Sequence, residues 1–385
     1  MTTLAPRTDF PILEEVTYLN TASIALTPAP VRRAVAEFDE RLAGGGTVRF
    51  DDAAEAAAYE PARNAAARLF NTRPEQIGIT TSMSEALCQV AWWLRPAAGS
   101  NIVAVDLDFP SVTYVWMRLA RETGCEVRLV PALADPAALS FDDIAALVDD
   151  RTVAISVSHV QYATGLVLDV SRLADLAHSH GALLLLDATQ SAGMIPLDAA
   201  ASGADAIFAG GYKWLCATFG AAVCYLAPAL AARFDAPFAG WRSVTDQTLF
   251  DATHLDPLYG ARGLEYSTVA YGSGIALGRA IEYVLDIGVE RILEHDRQLA
   301  GLLLEGLTRL GGQVITPQAE HLHAGIATAR FPGQDAVRLA ARLAAEGVHV
   351  SPRLGGLRYS AHFYNNTDDV ARALAVTAHV LSATG

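Results

Sequence analysis

The sequence predicts an α/β protein, with a large domain built on a mostly parallel sheet flanked by helices and a smaller C-terminal α+β domain. Three observations predict it. Short apolar runs of strand length alternate with alanine-rich helical segments through the middle of the chain, the pattern of βαβ crossovers. Polar and aromatic residues follow the ends of those runs, where open parallel sheets hold their ligands. Past a stretch rich in Gly, Pro and aromatics at 234–263, long helical periodicity takes over.

In chain order, residues 1–15 read as a leading segment and 16–270 as the large domain. The run Thr80-Thr81-Ser82-Met83-Ser84-Glu85-Ala86-Leu87 reads as a strand end, a hydroxyl-rich turn and the start of an apolar helix. Strands are expected at 102–105, 126–130, 153–157, 182–186, 206–209 and 221–226, each short, apolar and bounded by turn residues. Helices at 111–123, 141–148 and 170–180 supply the crossovers. Residues 234–263 read as a long functional loop. Helices follow at 271–284 and 289–310, and the small domain, 271–385, adds a strand at 324–330, a helix at 335–346 and a last helix from Thr367.

Composition narrows the function. Of 385 residues, 52% are hydrophobic, enough for a large core, yet no apolar run is long enough to span a bilayer. The net charge of −14 argues against nucleic acid or an anionic membrane as the main partner. Cys88, Cys125, Cys216 and Cys224 lie far apart without C-x-x-C spacing and read as reduced thiols of a cytoplasmic protein; no secretory leader is evident.

Lys213 is the one lysine among 28 basic side chains. It follows an apolar strand and a Gly-Gly turn, between Tyr212 and Trp214, a poor setting for a solvated cation. Codon bias explains the missing lysines but not the survivor's place. A lysine amine sheds its charge on burial and forms Schiff bases with aldehydes, whereas arginine stays protonated. Asp187 ends the buried run Gly-Ala-Leu-Leu-Leu-Leu-Asp, where a carboxylate needs a cation or strong donors. A helix cap is the plain alternative; a pyridinium nitrogen is the functional one, with Gln190 three residues on. The helix start at Met83 and Ser84 offers free amides to a phosphate, although such starts are often only capping boxes. Phe109, in Asp-Phe-Pro-Ser, stands at another strand end, poised to stack on a ring or simply to pack.

An aldehyde anchor, a carboxylate for a ring nitrogen, a phosphate cradle and a stacking aromatic are together what pyridoxal 5′-phosphate requires. The chain resembles the class V (fold-type I) aminotransferases, in the branch holding cysteine desulfurases, kynureninases and isopenicillin N epimerase-like proteins. The motifs that carry the resemblance are Ser158–Gly165, Leu186-Asp187-Ala188-Thr189-Gln190, Gly210–Leu215 and Arg358–Thr367. The resemblance implies Lys213 as the Schiff-base lysine and Asp187 as the partner of the pyridine nitrogen, with Gln190 near the ring oxygen. It implies Met83, Ser84 and Tyr212 around the phosphate, Phe109 stacked on the ring, Tyr162 beside the cofactor, and His159 as a ring neighbour counted with the catalytic set. Arg358 would receive the substrate carboxylate, with Asn20, Ala22 and Trp241 lining the side-chain pocket. Ser267 and Thr268 resemble the segment that reaches a neighbouring subunit's phosphate, which implies a homodimer with shared sites. No metal is expected.

Departures from the family matter too. The segment from Gly347 to Arg358 is short and holds no cysteine, against persulfide-forming desulfuration. The activity implied is Cα–H cleavage on an amino acid, as an aminotransferase or a Cβ–S lyase. An epimerase, a decarboxylase and a non-catalytic cofactor-binding protein are the alternatives. A dinucleotide enzyme lacks support, because no G-x-G-x-x-G turn is present and Gly44-Gly45-Gly46 reads as a helix stop.

Overall fold

A computed structural model describes residues 1–382. Its strands are β1 (Thr17–Tyr18), β2 (Ile77–Thr80), β3 (Asn101–Val105), β4 (Glu126–Val130), β5 (Thr152–Ser158), β6 (Leu183–Asp187), β7 (Ala206–Gly210), β8 (Ala222–Leu226), β9 (Gln313–Val314), β10 (Ile326–Arg330), β11 (Val348–His349), β12 (Ser351–Arg353) and β13 (Gly356–Ser360). The helices of ten residues or more are α1 (Ala29–Gly45), α2 (Glu60–Leu69), α3 (Met83–Leu94), α4 (Pro110–Thr123), α5 (Val170–Ser179), α6 (Tyr271–Ile287), α7 (Val289–Arg309), α8 (Ala336–Ala345) and α9 (Thr367–Ser382).

Seven strands form the main sheet in the order β2-β8-β7-β6-β5-β3-β4, parallel except that β8 runs against both its neighbours. Strands β3, β7 and β8 are buried along their whole length, as expected of central strands covered on both faces. One face packs Val90, Trp116 and Phe208 under α3 and α4; the other packs Ala66, Val157, Ile207 and Ile281 under α2, α5 and α6. Helix α6 approaches α2 closely through Gly278, where a Cβ would sit 2.9 Å from the backbone nitrogen of Ala62. Larger residues there would push the helices apart.

A four-stranded antiparallel sheet, β12-β13-β10-β9, forms the small layer with α7, α8 and α9 around Leu303, Leu343 and Tyr359. Three details bear on the sequence expectation. The change of unit expected at 271 falls at the start of α6, which packs on α1 and α2 of the large layer. The N-terminal β1 pairs in parallel with β11 in a separate two-stranded sheet, so the start of the chain is tied to the small layer. The helix expected at 141–148 is shorter, Phe141–Ala145. No helix among the described residues is long and apolar enough to cross a membrane.

Candidate active site

The parallel strands β3, β5, β6 and β7 deliver their carboxyl ends to one edge of the sheet, and the loops that follow them meet the N-terminus of α3. Between them lies a small cavity. Met83, Ser84, Phe109, Tyr162, Asp187, Gln190, Tyr212 and Lys213 line it, with Ser82, Ser111, Ser158, Thr189 and Gly210. Side chains drawn from five separate segments therefore share one pocket.

Lys213 sits on a tightly pinned turn. The Ala25 N–H donates to the Tyr212 carbonyl at 3.0 Å, and the Cys216 N–H closes on the Lys213 carbonyl at 2.7 Å. Cys216 adopts a left-handed φ of 57°, a conformation that costs a non-glycine residue on the order of 1 kcal/mol. Gly193 presses on the same turn: a Cβ there would lie 2.6 Å from the Trp214 carbonyl oxygen. The lysine is 7% exposed, and its side-chain amine has no hydrogen bond or ion pair among the described residues. Its Nζ lies 5.4 Å from the Phe109 ring centroid and 5.6 Å from that of Tyr212. Burial lowers its pKa to about 8; Arg358 and Arg353 push the same way, against the opposing pull of Asp187.

Asp187 is buried at the end of β6 and accepts from the Thr189 N–H at 2.9 Å. Burial raises its pKa, while Thr189 and Lys213 draw it down. Among the described residues it has no cationic partner in an ion pair. At the start of α3, Ser82 Oγ accepts from the Glu85 N–H at 3.1 Å and the Glu85 carboxylate reaches back to the Thr81 N–H at 2.8 Å. This is a capping arrangement, and it still leaves the amides of Met83 and Ser84, at the first two helical positions, without intrahelical acceptors. The two readings of this segment are compatible. Ser84 Oγ also donates to Ser111 Oγ at 2.8 Å. Phe109 is 42% exposed and meets Tyr162 edge to face at 5.6 Å.

Other expected site residues lie elsewhere. Gln190 lines the cavity, but its amide nitrogen donates to the Ala22 carbonyl at 3.0 Å and its oxygen accepts from the Trp214 indole at 2.7 Å. Both polar ends are committed to holding the N-terminal segment against the lysine turn. His159 is buried outside the cavity lining; its backbone N–H bonds the Asp187 carbonyl at 2.9 Å, its Nδ1 has no partner, and burial lowers its pKa to about 4. A neutral ring so placed is a weak candidate for proton transfer. Asn20 Oδ1 accepts from Ser351 Oγ at 2.8 Å, and the Ala22 N–H donates to Ser360 Oγ at 3.0 Å. Trp241 donates through Nε1 to Thr268 Oγ1 at 2.9 Å and lines a larger cavity within the loop 240–256. Ser267 and Thr268 line a third cavity with Thr80, Thr81 and Glu85. None of Asn20, Ala22, Trp241, Ser267 and Thr268 lines the lysine cavity within one chain.

Arg358 is 1% exposed and donates to the Tyr162 carbonyl and to Ser23 Oγ, each at 2.6 Å. Its Nε is buried without a partner, and burial lowers its pKa to about 9. Sequence reasoning missed Asp108 and Arg353. Asp108 is buried next to Phe109; one carboxyl oxygen accepts from the Ser158 N–H at 3.1 Å and from Gln161 Nε2 at 2.7 Å, the other has no partner, and burial raises its pKa to about 6. It clamps the loops after β3 and β5 together. The available signal was a second acid in Asp106-Leu-Asp-Phe.

These residues suit pyridoxal 5′-phosphate on the chemistry of the donor set. The cavity pairs a buried amine without a hydrogen bond with a carboxylate that makes no ion-pair contact, and adds a helix start with free amides and an aromatic face.

The family model described as Aminotransferase class-V matches residues 17–373. An uncharacterized aminotransferase, YcbU, from Bacillus subtilis is 29% identical over 95% of this chain and 94% of its own. The isopenicillin N epimerase of Amycolatopsis lactamdurans is 30% identical over 81% of this chain and 82% of its own, and a probable cysteine desulfurase of Halobacterium salinarum is 30% identical over 79% and 75%. Among solved structures, the apo cysteine desulfurase from Thermococcus onnurineus NA1 superimposes with a TM-score of 0.89 at 26% identity, covering 98% of this chain and 97% of the other.

Proposed function

Because the chain belongs to the class V aminotransferases, enzymes that work with pyridoxal 5′-phosphate, we propose that it breaks the Cα–H bond of an amino-acid substrate and then transaminates it or eliminates a Cβ–S substituent. The observation that carries this reading is the buried Lys213 amine facing the same cavity as the unpaired Asp187. The cofactor, when bound, supplies an aldehyde for Schiff-base chemistry and a ring that stabilises negative charge at Cα. Lys213 would hold it, Asp187 would keep its ring nitrogen protonated, and Met83, Ser84 and Tyr212 would receive its phosphate. Phe109 and Tyr162 would wall the ring and keep water out.

With its pKa lowered to about 8, the Lys213 amine is suited to take a proton from substrate and return it near neutral pH. Arg358, held by Tyr162 and Ser23 without a carboxylate of its own, would fix the substrate carboxylate. That grip on the carboxylate disfavours decarboxylation. Several relatives are named cysteine desulfurases, yet here the chain between β12 and β13 is the two-residue turn Leu354-Gly355, with no thiol. Cys125, Cys216 and Cys224 are buried, and Cys88 lies on α3 outside the cavity lining. Persulfide transfer is therefore not our reading.

We read the enzyme as a cytoplasmic homodimer, with Ser267, Thr268 and Trp241 serving the partner's site; their absence from the lining of the lysine cavity in their own chain supports this. The functional test is a panel of L- and D-amino acids and S-conjugates. It is assayed for keto acid, pyruvate, ammonia and deuterium uptake at Cα. Keto acid or pyruvate is expected. Racemisation alone would move the assignment to an epimerase, and no exchange at Cα with any of them would remove it.

A further inference from the structure

A second unpaired cation stands beside Arg358. Ser351 and Arg358 are directly opposed across the β12–β13 hairpin, and so are Arg353 and Gly356. Opposed residues share a face, and so do residues two apart on a strand, so Ser351, Arg353 and Arg358 project from one side. Arg353 and Arg358 are thus diagonal neighbours, a spacing of roughly 7–8 Å between backbones. This face looks onto Ser23, which contacts both Ser351 Oγ at 2.9 Å and Arg358.

The hairpin fixes that geometry. It closes with Leu354 at φ 49° and Gly355 at φ 76°, a tight turn with both central residues left-handed. Arg353 donates to the neighbouring Pro352 carbonyl at 2.7 Å, and Arg358 to a carbonyl and a hydroxyl. Among the described residues neither guanidinium has a carboxylate partner. Arg358 is buried and Arg353 half-buried, so in a chain with 42 acidic and 28 basic side chains two adjacent arginines without a carboxylate beside a buried lysine offer a ready seat for an anion.

We propose that the site selects amino acids that carry a second anionic group on the side chain, with Arg358 on the α-carboxylate and Arg353 on the distal one. This rests on the reading of Arg358 above and deepens it to a substrate class. A substrate with a neutral side chain would leave Arg353 without a carboxylate partner. A dianion would neutralise both arginines and make charge-assisted bonds, each on the scale that discriminates tenfold or more.

Equilibrium binding tests it without requiring turnover. Aspartate and asparagine, and glutamate and glutamine, are titrated into the coloured holoprotein and followed by absorbance. In parallel, succinate and butyrate are titrated by calorimetry. The acid of each pair is expected to bind at least tenfold more tightly than its neutral isostere. Arg353→Gln should abolish that preference while leaving the amides unchanged, and Arg353→Lys should restore part of it. Equal binding of acid and amide, or equal loss of both in R353Q, would overturn the proposal. A protein that takes up no cofactor would instead sink the functional reading, and the succinate arm would still report on the arginine pair.

Discussion

Lys213 and Asp187 were legible in the sequence because each violates an expectation: a lone lysine among aromatics, and an acid at the end of a leucine run. Their exact relation was not legible, since it depends on β6 and β7 lying side by side. Two outcomes follow at this scale. In the apo protein, Lys213 is protonated below about pH 8 and neutral above it, and only the neutral amine attacks an aldehyde. The rate of cofactor uptake should therefore rise with pH through a midpoint near 8 and level off above it, and Arg358→Gln should move that midpoint upward; stopped-flow absorbance reads both. In the holoenzyme, Arg358→Gln should raise the substrate dissociation constant by tenfold or more while leaving the cofactor band in place. Loss of the band there would contradict its role. Arg353 escaped the sequence reading because an arginine in a short loop carries no periodic signal, and only the hairpin register sets it beside Arg358.

At the scale of elements, the six strands expected in the middle of the chain form as β3 to β8: the central ones are mostly apolar because both faces are covered, and the edge strand β4 admits Glu126 and Arg128. That β8 runs antiparallel was not legible, because apolar content says nothing about direction. The two-residue β1 was invisible: its partner β11 lies more than three hundred residues away, and local pattern cannot report such a pairing. The segment holding Ser267 and Thr268 owes its position to Glu265. This residue bonds both terminal nitrogens of the buried Arg63, at 2.8 and 2.9 Å, and accepts from the Ile79 N–H at 2.8 Å. Removing one partner leaves an uncompensated buried charge, so Arg63→Ala should cost about 3–5 kcal/mol in a chemical-denaturation midpoint analysis. A loss under 1 kcal/mol would mean that solvent reaches Glu265. Another tie joins the two sheets: His362 contacts Asp296 Oδ2 at 2.7 Å and the Trp214 carbonyl at 3.0 Å, linking α7 of the small layer to the lysine turn.

At the scale of the whole molecule, fold and cofactor agree across pattern, packing and family, while substrate choice depends on features that packing alone creates. Trp241, Leu249, Phe250 and Leu255 are exposed together on the long loop, and we propose this apolar patch as the surface that pairing would cover. Everything proposed depends on one covalent link, and the composition makes it unusually easy to examine, because Lys213 is the only lysine and the chain's other primary amine is the N-terminus. Purified protein reduced with borohydride, digested and mapped by mass spectrometry should carry a pyridoxyl group on the peptide holding Tyr212-Lys213-Trp214, and the Lys213→Ala protein should carry none. A pyridoxyl group found only at the N-terminus, or on no peptide at all, would contradict the account.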